Sequence, residues 1–399
     1  MERLPSDNAD FPAGSGEGGG VAPIGGRAES LYVHVPFCVR KCGYCDFYSL
    51  GGADERLMAA YVEAVELEAA RLPDARLRTI YVGGGTPTAL PRALLERLLT
   101  AVRRRFDVER LEEFTVEANP GVLDEARLES MQACGVNRVS LGVQSFDPAT
   151  LAALGRAHGA GEEGRAIELL RRRGVDNVSI DLMFAVPGQT MDRWLADLRA
   201  AVGTGVEHVS VYGLAIEPRT PLGRRAAAGE VAALADEVYA QMQMAAREVL
   251  TAAGYEHYEL SNFARPGRRC RHNLTYWHNR AYLGLGPAAA SYVGGVRATN
   301  VADVGEYVRR VRAGQCAAGE SERLGNERRA RETAMLGLRL LEGLDVAEFA
   351  RTTGFDPLAL FADAIRKHAG AGLVEVADGR IRLAPAALPV ADSILSDFV

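Results

Sequence analysis

Six short apolar segments alternate with amphipathic stretches in the first half of the chain, and this alternation limits the folds open to it. The segments are rich in Val, Ile, Tyr and Leu, as buried parallel strands are, and cover residues 31–35, 79–82, 113–117, 138–143, 177–183 and 208–214. The stretches between them have helical periodicity and cover residues 54–72, 91–105, 124–134, 161–173 and 191–202. Strand–helix units in series predict an α/β fold with a parallel sheet covered by helices.

Two sheet architectures fit such a series, an open doubly wound sheet and a barrel. Most residues whose chemistry suggests a site follow the carboxyl end of a predicted strand, which is the active face of a βα barrel. We therefore expect a barrel over residues 30–229. A connecting region over residues 230–320 follows, and it begins with a long helix at 230–254.

The pattern changes in the last part of the chain, residues 321–399. Helical patterns over 332–342, 345–351 and 357–371 precede two short strands that flank Ala377-Asp378-Gly379, a hairpin signal. Helices before a small hairpin resemble a winged-helix domain, which by itself does not imply DNA binding.

The composition excludes several classes of protein. The net charge of −6 over 399 residues gives no basic footprint for nucleic acid. No apolar run reaches the length of a membrane span, and the N-terminus lacks the apolar core of a secretory signal. Six cysteines, of which three are scattered, suit a reducing compartment. We expect a cytoplasmic protein with a disordered Gly-rich tail over residues 1–29, and peripheral membrane contact stays open.

Three cysteines, Cys38, Cys42 and Cys45, form a C-x3-C-x2-C pattern just after the first predicted strand. Thiolates are the usual protein ligands of iron–sulfur clusters, and three of them leave one iron of a cubane open to an outside ligand. A zinc site prefers four ligands, and the chain has no second C-x2-C or H-x3–5-H pair. A redox pair would leave Cys38 unexplained. We interpret the three residues as ligands of a 4Fe–4S cluster.

This spacing resembles the hallmark of the radical S-adenosylmethionine superfamily. The resemblance implies a partial (β/α)6 barrel, and an open iron chelated by the methionine moiety of S-adenosylmethionine. The sequence Gly83-Gly84-Gly85-Thr86-Pro87 follows the second predicted strand and matches the superfamily's glycine-rich motif. Glycines let a backbone approach a ligand closely, although a triple glycine can also be a simple turn.

Three further motifs, Glu117-Ala-Asn-Pro120, Gly142-Val-Gln-Ser-Phe146 and Ile180-Asp-Leu-Met183, resemble the HemN/HemW group, the oxygen-independent coproporphyrinogen III oxidases and their relatives. The resemblance covers the chain from about residue 31 to its end. The positions that it assigns to S-adenosylmethionine are Tyr32, Tyr44, Gly84, Gly85, Thr86, Glu117, Gln144, Arg156 and Asp181. A carboxylate suits ribose hydroxyls, and an arginine fork suits a carboxylate.

Two features separate the branches of this group. The oxidase branch has a fourth cysteine two residues after the third and a longer structured N-terminal extension, whereas this chain has Phe47 and a Gly-rich tail. The segment His272-Asn273-Leu-Thr-Tyr276-Trp277 matches H-N-x-x-Y-W, the motif associated with haem binding in the haem-chaperone branch. Imidazole is a common axial ligand of haem iron, and aromatic rings can line a macrocycle. The alternative is that His272 and Asn273 make ordinary hydrogen bonds.

The resemblance therefore implies a haem chaperone that carries the cluster, S-adenosylmethionine and haem, and that delivers haem to respiratory haem proteins. It also links the cluster to dimerisation, so a homodimer stays open. The alternative is an enzyme, an oxygen-independent coproporphyrinogen III oxidase that decarboxylates propionate side chains by radical chemistry. Whether the chain catalyses a reaction is left undecided by the sequence.

Overall fold

A nine-stranded sheet forms the centre of the protein. The computed structural model of the chain describes residues 27–156, 159 and 161–399, so nearly all of the tail expected to be disordered lies outside the described residues. The strands of the sheet are, in chain order, β1 (Ser30–Val35), β2 (Thr79–Gly84), β3 (Glu113–Ala118), β4 (Arg138–Gln144), β5 (Val178–Phe184), β6 (His208–Gly213), β7 (Glu256–Glu259), β8 (Asn262–Ala264) and β9 (Leu283–Leu285).

The spatial order of the strands is β9–β1–β2–β3–β4–β5–β6–β8–β7. The first seven strands in this order run parallel, and β8 and β7 are antiparallel to their neighbours. The six strands predicted from the sequence are thus confirmed, in chain order and with small differences at their ends. β9 and β7 are the two edges of the sheet in the described part of the chain, which fits the expected partial barrel and not a closed one.

Helices cover the sheet, as the periodicity predicted. Those before residue 320 are α1 (Glu55–Arg71), α2 (Arg92–Arg105), α3 (Glu125–Ala133), α4 (Pro148–Leu154), α5 (Glu162–Arg172), α6 (Met191–Gly203), α7 (Pro221–Ala227), α8 (Asp236–Ala252), α9 (Arg271–Trp277) and α10 (Val304–Arg312). The apolar face of α1 packs into the main core through Tyr61, Val62 and Val65. None of the helices in the described residues is long and apolar enough to cross a bilayer.

A small antiparallel sheet lies beside the main one. Its strands are β10 (Ala290–Val293), β11 (Val296–Asn300) and β12 (Ala318–Arg323). β10 follows β9 closely, so this sheet continues the edge of the main sheet beside β1.

The C-terminal region has its own core around Phe349, Phe361 and Phe398. Its elements are α11 (Asn326–Gly337), β13 (Leu344–Asp345), α12 (Val346–Thr353), α13 (Pro357–Leu360), α14 (Ala362–Gly370), β14 (Val374–Ala377), β15 (Arg380–Leu383) and α15 (Ala391–Leu395). The predicted hairpin is confirmed as β14–β15, and β13 joins it in the order β13–β15–β14.

Two helices in this region differ from the prediction. The helix expected at 332–342 spans Asn326–Gly337, so it begins and ends earlier, and its charged first turns pair along the helix, as Arg331 and Glu327 do at 2.9 Å. The helix expected at 357–371 is divided into α13 and α14 at Phe361.

Candidate cluster and cofactor site

The cysteine loop begins where β1 ends. Phe37–Cys38 pairs in parallel with Leu50–Gly51, and the Gly52 amide donates to the Cys38 carbonyl at 3.1 Å, so the loop is closed at its base. Cys38, Cys42 and Cys45 are free, partly buried thiols. In the part of the chain that the structure describes, no three Cys, His, Asp or Glu side chains converge on one ion. A cluster spreads its cysteine ligands over different irons, so this wider spacing is compatible with it.

The surroundings of the thiols suit a metal-bound thiolate. Burial raises the pKa of Cys38 and of Cys45, so without a positive partner these thiols stay protonated. The Thr86 hydroxyl donates to Cys38 Sγ at 3.7 Å, and Arg156 Nη1 donates to Cys42 Sγ at 3.5 Å. These donors and the soft sulfur ligands fit an iron–sulfur cluster.

A cavity of about 640 Å³ opens beside the loop, at the carboxyl ends of the strands. Of the residues singled out in the sequence, those that line it are Cys38, Cys42, Tyr44, Cys45, Gly84, Gly85, Thr86, Glu117, Gln144, Arg156, Asp181 and Asn273. The structure therefore brings the cysteines and most of the positions assigned to S-adenosylmethionine into one cavity.

Gly85 brings the glycine motif against the cysteine loop. Its amide donates to the Val35 carbonyl at 2.8 Å, and a Cβ there would lie 2.6 Å from the Phe37 oxygen and 2.7 Å from the Val35 oxygen. Gly84 has a φ of +105°, a conformation that favours glycine. The motif is therefore required by close backbone approach, and is more than a simple turn.

Two carboxylates lie in the cavity wall. Glu117 accepts from the Tyr81 hydroxyl at 2.8 Å and from the Gly84 amide at 3.0 Å. Burial, together with nearby Asp181, raises its pKa to about 7 against the two hydrogen bonds, which lower it. Burial also raises the pKa of Asp181, which accepts from the Ser140 hydroxyl at 3.4 Å. Both groups can accept hydrogen bonds from ligand hydroxyls.

The same cavity is also lined by the amide, guanidinium and aromatic ring that the sequence singled out, those of Gln144, Arg156 and Tyr44. Gln144 has a left-handed φ of +68°, where the register of β4 against β5 is irregular. This irregularity places the side chain at the cavity instead of in the sheet. Arg156 donates to the Gly142 carbonyl, and Tyr44 packs on the apolar cluster around Leu154 and Met183.

Tyr32 does not line the cavity. Its hydroxyl is 3.0 Å from His34 Nδ1, and its ring centroid is 6.3 Å from that of Tyr81. Its assignment to the cofactor stays a prediction, and its visible contact is packing against Tyr81.

Arg138 also lines the cavity, and the sequence did not single it out. It is only 2 % exposed and makes no hydrogen bond or ion pair within the described residues, with Nε buried and unsatisfied. A basic residue that begins an apolar, buried strand was the available signal.

The H-N-x-x-Y-W segment forms α9 and is not gathered around the cysteines. His272 is 1 % exposed, with Nδ1 2.8 Å from Thr79 Oγ1 and Nε2 2.9 Å from the Tyr276 hydroxyl. Burial lowers its pKa to about 3, so the ring is neutral. Thr79 begins β2, which puts His272 at the end of the sheet opposite the cysteines. To bind iron, the imidazole would have to give up one of these contacts, so its assignment as axial ligand stays a prediction.

The other residues of the segment face two different spaces. Asn273 lines the cavity of the cysteines, whereas Trp277 lines a second cavity on the far side of α9. Phe47, at the position of the oxidase branch's fourth cysteine, is 71 % exposed and offers no ligand atom.

Comparison with known proteins adds to this geometry. The radical SAM superfamily matches residues 32–201, and the HemN C-terminal domain matches residues 324–390. The chain is 38 % identical over 328 residues to the heme chaperone HemW of Lactococcus lactis subsp. lactis, which covers 81 % of this chain and 84 % of the relative. It is 38 % identical over 368 residues to the heme chaperone HemW of Mycobacterium tuberculosis, with coverage of 91 % and 94 %.

Among solved structures, coproporphyrinogen III oxidase (HemN) from Escherichia coli, a radical SAM enzyme, superposes with a TM-score of 0.83. The match covers 95 % of this chain and 91 % of that one at 23 % identity. At this identity the likeness establishes the fold and not the reaction.

Proposed function

The chain belongs to the HemW family of the radical SAM superfamily, and from this membership we propose that it is a haem chaperone. It would bind haem and transfer it to acceptor haem proteins. The observation that carries the proposal is the 38 % identity to proteins named heme chaperones over 81–91 % of this chain. The likeness to HemN does not favour the oxidase, because it concerns the fold alone.

We propose that Cys38, Cys42 and Cys45 hold a 4Fe–4S cluster. When bound, such a cluster supplies a reducible centre with one iron open to a ligand outside the chain. Thr86 and Arg156 would stabilise the thiolates through the hydrogen bonds that they donate to Cys38 and Cys42.

S-adenosylmethionine would occupy the cavity beside the cysteines. The Arg156 guanidinium would attract its carboxylate, and Glu117 and Asp181 would accept from its ribose hydroxyls. The methionine end would be contacted by Gly84, Gly85 and Gln144, and the adenine would lie beside Tyr44. Tyr32 would affect the cofactor indirectly, by packing against Tyr81. The same proposal places the protein in the cytoplasm as a homodimer. Its acceptors would be respiratory haem proteins.

One paired assay on a reconstituted sample tests the chaperone against the oxidase. Ferric haem is titrated into the protein and then transferred to an apo haem protein, while a second portion is incubated anaerobically with coproporphyrinogen III, S-adenosylmethionine and dithionite. We expect a saturable Soret change, haem transfer and no protoporphyrinogen. Formation of protoporphyrinogen would overturn the chaperone assignment.

Two cysteine variants, reconstituted in the same way, test the cluster. Before haem is added, Cys42→Ser should lose the broad visible absorbance of the cluster and most bound iron, whereas Cys316→Ser, at an exposed cysteine outside the loop, should keep both. Equal iron in the two variants would contradict the cluster assignment.

A further inference from the structure

A second cavity, of about 620 Å³, lies between the amino end of the main sheet and the C-terminal region. We call it the lower cleft. Ser30 and Thr79, the first residues of β1 and β2, lie on its sheet side, and residues of α11, α12 and β13 form the other side. Its volume is in the range of small-molecule and cofactor sites. The length of β2, roughly 17 Å at the usual rise per residue, separates it from the glycine motif.

The walls of the lower cleft combine a flat apolar surface with polar groups. The apolar side chains are Leu274, Trp277, Ala281, Leu340, Leu344 and Phe349. The Trp277 ring is held from one side by Arg339, whose guanidinium carbon lies 4.9 Å from the ring centroid. Its Nε1 is buried and has no hydrogen-bond partner within the described residues.

His278 follows α9 as its C-terminal cap residue and lines the lower cleft. It is exposed, and its ring makes no hydrogen bond to another described residue, unlike the ring of His272. Although the residue as a whole is exposed, its ring lies against the cleft wall, and this partial burial and the neighbouring Arg280 lower its pKa, while Glu342 and Glu348 act in the opposite direction. Neutral imidazole with a free lone pair is the form that binds iron.

Arginines and carboxylates alternate around the lower cleft, and most of them are paired. Arg78 and Arg271 share Glu112, and Arg380 lies 3.7 Å from Asp345. Arg280 also lines the cleft but makes no ion pair in the described part of the chain. Arg27 also lines the cleft without an ion pair among the described residues, so either cation can pair with a ligand carboxylate, and Arg280 is the one two residues from His278 in the chain.

Resting on the proposed function, we infer that the lower cleft is the haem site and that His278 is the axial ligand. Trp277 would lie against the macrocycle, and Arg280 would pair with a propionate. Haem combines an apolar ring, an iron that binds imidazole, and carboxylates at one edge of the ring. The lower cleft offers a partner for each of these, namely Trp277, His278 and Arg280. The haem would thus lie at the opposite end of the sheet from the cysteines.

The test uses ferric haem titrated into the full-length protein, with Soret position, resonance Raman of the iron–histidine bond and Kd as readouts. His278→Ala should lose the iron–histidine signature and weaken binding by about tenfold or more, and added imidazole should restore the spectrum. Because His278 is exposed, this variant should keep the circular dichroism of the parent. An unchanged spectrum in His278→Ala, or loss of the signature only in His272→Gln, would overturn the assignment.

Arg280→Gln tests the second contact. It should weaken haem binding several-fold and leave the binding of haem dimethyl ester unchanged, because the ester lacks the propionate charge. Arg56→Gln is the matched control, since Arg56 is exposed on α1 and lies outside the lower cleft. Equal effects of Arg280→Gln on both ligands would overturn the propionate contact. If the parent protein fails to bind haem, the proposed function itself fails, which is distinct from a parent that binds haem with His278 uninvolved.

Discussion

Gly85 shows how one residue without a side chain holds two motifs together. An added Cβ would meet two carbonyl oxygens of the segment that leads into the cysteine loop, at 2.6 and 2.7 Å. Backbone atoms cannot move aside as a flexible side chain can, so the loop itself would have to shift.

We therefore expect Gly85→Ala to destabilise the protein by about 1–3 kcal/mol and to reduce cluster loading. The measurements are the urea midpoint and bound iron per chain after anaerobic reconstitution. Gly164→Ala is the control, because a Cβ at this position on α5 meets no atom within 4 Å. Similar iron contents in the two variants would show that the close approach does not matter.

The raised pKa of Glu117, about 7, gives the cavity a pH dependence near neutrality. The carboxylate form accepts hydrogen bonds from ribose hydroxyls better than the protonated form does. We expect S-adenosylmethionine to bind more tightly at pH 8 than at pH 6, and Glu117→Gln to flatten this dependence. Calorimetric titration at several pH values is the measurement, and tighter binding at pH 6 would contradict the role of Glu117.

Raising the pH has the opposite effect on the contribution of Glu117 to folding stability. A carboxyl whose folded pKa lies above its ordinary value favours the folded state fully only below that ordinary value. The contribution of Glu117 to stability is therefore lost as the pH rises through about 7.

At the scale of elements, Glu68 on α1 joins three later segments to the barrel. Its carboxyl group accepts from the Gly286 amide at 2.9 Å, from Asn300 Nδ2 at 2.6 Å and from the Tyr307 hydroxyl at 2.6 Å. These partners lie after β9, on β11 and on α10, so one buried side chain fixes the small sheet and α10 against α1.

We expect Glu68→Ala to lower the free energy of unfolding by about 3 kcal/mol, because the buried Gly286 amide and Tyr307 hydroxyl and the partly buried Asn300 amide would lose their acceptor. Glu63→Ala on the same helix is the control. Glu63 has a half-exposed side chain and, in the part of the chain that the structure describes, pairs only with Arg312, so its loss should cost less than about 1 kcal/mol. Urea unfolding of both variants is the measurement, and equal losses would contradict the role given to Glu68.

The elements also show what the sequence could and could not predict. β1 to β6 were predictable because each is a local apolar run between helical patterns. β9 was not predictable, because a three-residue segment becomes a strand only by pairing with β1, which lies more than 200 residues away in the chain. The cysteines and glycines were identified by their spacing. The burial of Arg138 and the engaged ring of His272 depend on Thr79, Tyr276 and neighbouring strands, which no local pattern reveals.

For the whole molecule, the cysteine loop and the lower cleft lie at opposite ends of the same parallel strands. Effects of changes at distant sites without shared partners usually add. We expect Cys42→Ser to lose the cluster and yet keep a haem Kd within about twofold of the parent. We also expect His278→Ala to keep its iron–sulfur content. A tenfold loss of haem affinity in Cys42→Ser would contradict this separation.

Glu113, the first residue of β3, accepts the amide hydrogens of Arg271 at 3.0 Å and of His272 at 3.1 Å. These amides open α9, so the helix receives its N-terminal cap from a strand formed 158 residues earlier in the chain. A helix of seven residues does not persist by itself in water. α9 therefore becomes stable only after β3 has joined the sheet, and it is lost as soon as that end of the sheet opens. Because the lining of the lower cleft extends to Arg380, a chain still on the ribosome would have its barrel strands before it had the haem site that we propose.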